Sequence, residues 1–276
     1  QSKTGKQLAE QNISEHQHGF SKKPDQQPAP SYNGEHDTDM NSETRQPPDS
    51  SRPDTLAIRT RNLHFRWQNQ ARELAFPDIQ LTRGEHLFLH GPSGTGKSTL
   101  LGLLAGMHTP SRGSLQLLNQ ELTTMKAGAR DRLRADHMGV IFQQFNLVPY
   151  LSAVTNALLP CRLSNLRHSR AIPSATEASQ HLLTQLGIPQ SHWHQGVTRL
   201  SIGQQQRVAA ARALIGVPEI ILADEPTSAL DSDNRDRFLE LLLTLAERSN
   251  SSVVFVSHDQ SLAGHLHHRM ALEVAP

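Results

Sequence analysis

Glu85-His86-Leu87-Phe88-Leu89-His90-Gly91-Pro92-Ser93-Gly94-Thr95-Gly96-Lys97-Ser98-Thr99 runs from an apolar stretch through a glycine-rich turn into the start of a helix. Residues 85–89 read as a buried strand. Leu100, Leu101, Leu103, Leu104 and Met107 give residues 97–107 one apolar helical face. Between them, residues 91–98 match G-x-x-x-x-G-K-[ST] in full, in the strand–turn–helix setting that gives this pattern its meaning. Glycines let backbone N–H groups turn inward, and a helix N-terminus adds a field that favours anions. Gly91, Pro92, Ser93, Gly94, Thr95, Gly96, Lys97 and Ser98 therefore read as a cradle for the phosphates of a nucleotide. Lys97 is expected to reach the β- and γ-phosphates, Ser98 to hold Mg²⁺, and Thr99 to lie near the α-phosphate.

Working outward, two more apolar runs end in polar residues. Ile220-Ile221-Leu222-Ala223 ends in Asp224-Glu225, and Val253-Val254-Phe255-Val256 ends in Ser257-His258. A strand that ends in a carboxylate places that charge at the sheet edge where phosphates bind. Asp224 is expected to hold Mg²⁺ through water, and Glu225 to act as general base on the attacking water. His258 is placed to donate a hydrogen bond to the γ-phosphate. Residues 56–58, 63–65 and 140–142 read as further short strands, and residues 238–246 as a helix. A stretch at about 144–215 has a helical pattern and is inserted before the acidic strand. Strands alternating with helices predict an α/β fold with a mostly parallel sheet. With the phosphate loop this is expected to be a P-loop NTPase core, preceded by a small N-terminal antiparallel β portion.

Bulk composition narrows the partners. The 276 residues carry 27 Lys+Arg against 26 Asp+Glu, so there is no basic surplus of the kind a nucleic-acid footprint needs. Cys161 is the single cysteine, which precludes an internal disulfide, fits a reducing compartment and reads as inert. No apolar run approaches the ~18 residues of a membrane span. The chain begins with Gln1, which suggests a trimmed or partial product, and no signal peptide is visible. Residues 1–54 are polar and proline-rich, with Pro24, Pro28, Pro30, Pro47, Pro48 and Pro53 and only isolated apolar residues. They are expected to form a disordered extension before a domain at 55–276. His192/His194 and His265/His267/His268 read as solvated surface, as do Arg130, Arg132 and Arg134.

Leu200-Ser201-Ile202-Gly203-Gln204 is the second decisive stretch. Ser201 and Gln204 fit an S-x-x-Q capping box at the start of a helix over 202–215, with Gly216 suited to its end. The cap alone is worth ~1 kcal/mol. An exposed helix N-terminus carrying a serine hydroxyl is also an anion site. With this element beside the other motifs, the chain from about residue 55 onward resembles the ATP-binding-cassette (ABC) ATPases. Residues 91–98 match the phosphate loop, Gln143 the Q-loop glutamine, residues 200–204 the signature, and Asp224 and Glu225 the Walker B pair. Ser228-Ala229-Leu230-Asp231 matches the D-loop, and His258 the switch histidine. Trp67 stands where the family usually has a tyrosine stacked on adenine.

The resemblance implies a head-to-tail homodimer. ATP lies between the phosphate loop of one copy and Ser201, Gly203 and Gln204 of the other, with Gln143 sensing Mg²⁺ and the attacking water. It further implies membrane permease subunits as partners, at the cytoplasmic face of the inner membrane. Residues 146–160 look like the segment that receives the permease's coupling helix in the lipoprotein-releasing and macrolide-export branch. Two departures stand out: Ile202 replaces the first glycine of the usual signature, and Thr155-Asn156-Ala157 replaces Glu-Asn-Val. Export or lipid and lipoprotein movement is the leading expectation. The alternative is a force-transmitting ATPase of a cell-division-type envelope complex. A soluble ribosome- or DNA-acting relative would need two cassettes or coiled-coil arms, and a non-hydrolysing module conflicts with Glu225 and His258.

Overall fold

The computed structural model describes residues 56–68, 71–228 and 230–273. The expected extension at 1–54 lies outside them. In chain order the elements are β1 (Leu56–Arg66), β2 (Glu73–Ala75), β3 (Gln80–Thr82), β4 (His86–His90), α1 (Lys97–Leu104), β5 (Arg112–Leu117), β6 (Gln120–Glu121), α2 (Ala127–His137) and β7 (Met138–Ile141). Then come α3 (Ala153–Leu163), α4 (Asn165–Arg170), α5 (Ala175–Gln185), α6 (Ile202–Leu214), β8 (Ile220–Asp224), α7 (Ser232–Arg248), β9 (Ser252–Val256) and β10 (His268–Ala271). Short 3₁₀ turns cover Gln190–His192, Val197–Arg199 and Gln260–His265.

These form two sheets. One is antiparallel, in the order β2-β1-β5-β6 with β3 also on β1. The other is β10-β4-β9-β8-β7, and every pair in it is parallel. The two strands expected at 56–58 and 63–65 are one strand. Their separation in sequence reflects an irregularity between Arg61 and His64, where Asn62 takes a φ of 49°. Gly113 on β5 lies opposite, and a Cβ there would sit 2.2 Å from the Asn62 carbonyl oxygen. Other boundaries also shift. The helix expected to Met107 stops at Leu104, and Phe142 leaves β7 to enter the following loop. Helix α7 is about twice as long as its apolar centre suggested, because Asp231 caps it through the Asn234 N–H.

The parallel sheet is buried on both faces, as crossover helices require. Leu87, Leu89, Leu222, Val254 and Val256 join one apolar cluster with α1 and the antiparallel sheet. The alternating residues Phe88, Ile221, Ala223, Val253 and Phe255 join a second cluster with α3, α6 and α7. Each fully buried Val, Leu or Ile contributes about 1.5–3 kcal/mol, whereas an exposed ion pair contributes about 0–1. Two-sided burial therefore outweighs ion pairs in holding the sheet together. The parallel pairing of β4, β9 and β8 brings their C-terminal ends to one edge.

Two buried polar groups shape the helical stretch. Asn156 has no exposed surface; its amide accepts from Val148 N–H at 2.8 Å and donates to the Val148, Leu151 and Ser152 carbonyls. It staples the loop before α3 to that helix. Arg167 of α4 is buried and donates to the carbonyls of Met138, Ala213 and Ile215. Burial pulls its pKa down to about 10. Arg130, Arg132 and Arg134 are not uniformly solvated: Arg132 is exposed, but Arg130 bonds Thr109 and Arg134 reaches Asp131 and the Ala105 carbonyl. Cys161 is buried, and burial raises its thiol pKa.

Candidate nucleotide site at the strand ends

Helix α1 starts without a side-chain cap: its N-cap is Gly96, at φ 94°. The first-turn N–H groups of α1 are thus left free of side-chain partners at the mouth of the loop. Gly91 is fixed by close approach, since a Cβ there would lie 2.3 Å from the Leu272 carbonyl oxygen. Thr95 Oγ1 donates to the Pro92 carbonyl at 3.0 Å, which closes the loop on itself. Lys97 Nζ donates to the carbonyls of Gly91 and Pro92, each at 2.9 Å. Burial lowers the Lys97 pKa, opposed by the charges of Glu225 and Asp224.

The acidic strand end supplies two carboxylates with different surroundings. Asp224 ends β8; burial raises its pKa, opposed by a hydrogen bond from Ser98 and the charges of Lys97 and His258. Glu225 takes a φ of 44° and donates its N–H to the Val256 carbonyl at 3.1 Å. This left-handed kink turns the chain out of β8 directly beside the end of β9. Gln143 Nε2 donates to Glu225 Oε2 at 3.5 Å, and His258 Nε2 lies 2.5 Å from Glu225 Oε1. Three loops, after β7, β8 and β9, thus converge on one carboxylate.

A cleft of about 550 Å³ opens over this group, lined by Trp67, Arg72, Leu74, Ser93, Gly94, Gly96, Lys97, Ser98, Thr99, Gln143, Glu225 and His258. Trp67 is 40% exposed and stands edge-on to Phe65 and His108, with ring centroids 5.0 and 4.9 Å away. Ser201, Gly203 and Gln204 do not line the cleft. They open α6, where Ser201 Oγ accepts from Gln204 N–H at 3.3 Å and Gln204 Oε1 accepts from Ser201 N–H at 3.0 Å. Ile202 is 56% exposed beside them.

One contributor had no sequence signal. Arg212, on the otherwise Ala-rich buried face of α6, donates to the carbonyls of Phe145 and Asn146 at 2.5 and 2.7 Å. It thereby holds the loop that carries Gln143. Arg72 in the cleft likewise sits outside every motif.

The chain matches the ABC transporter family model over residues 76–228. The chain belongs to this family. Among its relatives, the uncharacterized ABC transporter ATP-binding protein YbbA of Escherichia coli strain K12 is 40% identical over 186 residues, 67% of this chain and 79% of YbbA. The lipoprotein-releasing system ATP-binding protein LolD of Legionella pneumophila strain Lens is 37% identical, covering 67% of this chain and 80% of LolD. The macrolide export ATP-binding/permease protein MacB 2 of Aeromonas hydrophila is 38% identical over 75% of this chain, which spans 32% of that longer protein. The fold matches the dimeric, post-hydrolysis structure of the ATP-binding cassette MJ0796 bound to ADP and Pi, with a TM-score of 0.69 and 32% identity, over 78% of this chain and 94% of that one. This ABC cassette is an ATPase of the branch that includes the LolD and MacB ATPases. Among its described residues, no helix is long and apolar enough to cross a membrane.

Proposed function

We propose that this cassette hydrolyses ATP as a head-to-tail homodimer and powers export, or lipid and lipoprotein movement, through membrane permease subunits at the cytoplasmic face of the inner membrane. The observation that carries the hydrolytic part is the convergence of Gln143 and His258 on Glu225 at the mouth of the phosphate loop. Glu225 is the general base, accepting a proton from the attacking water. Gln143 orients that water, and His258 donates to the γ-phosphate. Residues 91–99 hold the phosphates, and Trp67 stacks on adenine. The loop is suited to phosphate, because Lys97 is already drawn into it by two carbonyls and its uncapped helix start offers N–H donors to an anion. Ser98 and Asp224 form a hard-oxygen pair suited to Mg²⁺, joined by Gln143. When bound, that ion would neutralise charge on the phosphate oxygens.

Ser201, Gly203 and Gln204 serve the second copy's nucleotide. Their absence from the lining of their own chain's cleft supports this, as does the dimeric state of the MJ0796 structure. Residues 146–160 carry the permease contact. A groove of about 970 Å³ that reaches Leu159 and Pro160, with Met107 and Leu163 exposed at its edge, supports it. The names of LolD and MacB support the transported class. The decisive variant is Glu225→Gln. Turnover should vanish while ATP binding persists, and ATP should trap a dimer visible by sedimentation. Normal hydrolysis by this variant would sink the general-base assignment.

A further inference from the structure

His258 is about half exposed, and its ring is paired with Glu225. Its position therefore depends on the backbone to either side. On one side, Ser257 Oγ accepts from the Asp259 N–H at 3.1 Å, bracketing His258 in a tight turn. On the other, both oxygens of Asp259 are committed. Oδ1 accepts from Ser261 N–H and Ser261 Oγ at 2.9 and 2.7 Å, and Oδ2 pairs with Arg235 Nη1. The Ser261 bonds are local to the same turn. Arg235 is the partner that reaches in from another element.

Arg235 lies one turn into α7, with its N–H donated to the Asp231 carbonyl at 3.0 Å. Asp231 in turn caps the helix through Asn234. The side chain is 21% exposed; its Nε is buried without a hydrogen bond and lies 3.8 Å from Asp236 Oδ1, which likewise has no hydrogen bond. Asp259 is thus the contact that orients it. A wholly exposed pair of this kind would be worth ~0–1 kcal/mol. This pair is mostly shielded, and it joins the start of α7 to the turn that carries His258.

We infer that Arg235 is a positioning residue: through Asp259 it sets the place of His258 over Glu225, and so ties hydrolysis to the segment that opens α7. This rests on the catalytic roles proposed for His258 and Glu225. The pair acts on the transition state and not on the grip of the cleft on nucleotide, because neither residue lines the cleft. Removing Arg235 frees the turn, and His258 samples positions away from the reacting phosphate. A purely structural staple would instead change the melting temperature and leave turnover per folded molecule intact.

The test is steady-state ATPase kinetics and thermal melting of the full chain as Arg235→Ala, Arg235→Lys, Asp259→Asn and the Arg235→Ala/Asp259→Asn double variant, with His258→Ala beside them. Arg235→Ala should lower kcat about tenfold, as a displaced catalytic group does, with KM for ATP within about twofold. Arg235→Lys should recover most of that loss. The double variant should be no slower than the slower single one, because both changes break one link. An unchanged kcat, or fully additive losses, would overturn the inference. So would a lower melting temperature with turnover per folded molecule preserved. Wild-type turnover by His258→Ala would instead remove the reading of the site itself.

Discussion

Two helix N-termini in this molecule are finished differently. Helix α1 begins at Gly96 with no side-chain cap, behind a loop that folds back on itself through Thr95 and Lys97. Its donors face a cleft already furnished with Asp224, Glu225, Gln143 and His258. Helix α6 begins at Ser201 with a complete capping box, which satisfies the Ser201 and Gln204 N–H groups before any ligand arrives. Its Ser201, Gly203 and Gln204 do not line the cleft. The uncapped start of α1 leaves its amides to a ligand or water, whereas the capped start of α6 keeps only the N–H groups outside its box.

The sharpest way to break this contrast is to disable each end separately. Lys97→Ala should abolish nucleotide binding by the isolated chain and reduce hydrolysis by about 10³ or more, the scale of lost electrostatic stabilisation at a transferring phosphoryl group; fluorescent-nucleotide titration and a phosphate-release assay check both. Gly203→Asp should cut hydrolysis about 100-fold by placing a negative charge where a phosphate must approach, yet leave nucleotide binding by the monomer unchanged. Equal loss of monomer binding in both variants would erase the distinction between the two ends.

A third experiment concerns what ties α2 and α4 to the start of β8. Glu219, just before β8, accepts from His137 of α2 at 2.9 Å and from Arg170 of α4 at 3.0 Å, with Arg83 at 3.5 Å. Burial would raise its pKa, but the hydrogen bonds and charges of His137 and Arg170 pull it from 4.5 to about 2. A folded pKa below the unfolded one means that this stability is present above pH ~4.5 and is lost as pH falls from there towards 2. Glu219→Gln should cost about 2 kcal/mol at neutral pH and flatten the acid limb of the stability profile. Urea melts across pH 3–7 measure it. The smallest effect is expected at Trp67. Trp67→Ala should raise KM for ATP about tenfold, the size of one aromatic–base stack, with kcat little changed.

Much of the α1 end was legible because its chemistry is contiguous: strand, loop, lysine and serine follow one another in residues 85–98. The acidic and histidine strand ends were legible for a related reason, since each polar end directly follows four buried apolar residues. What sequence did not reveal is non-local. Arg212 reads as one more arginine on a helix, and only the fold brings it to the loop of Gln143. Asn62 splits β1 in sequence, but not in space, because a left-handed asparagine absorbs the irregularity opposite Gly113. Strands β6 and β10 are short edge strands of mixed polarity, so no alternation marks them, and β5 alternates only over its last four residues. The capping box of α6 was legible, but a box alone cannot say whose phosphate it meets.

The most direct test of the divided site is to mix two dead chains, one Lys97→Ala and one Gly203→Asp. In a head-to-tail pair of unlike chains, one pocket combines both lesions. The other joins an intact phosphate loop to an intact signature. ATP hydrolysis absent from either variant alone should return on mixing, and rise with the concentration of the second chain. Activity no greater than the sum of the two separate variants at every ratio would contradict a site shared between two chains.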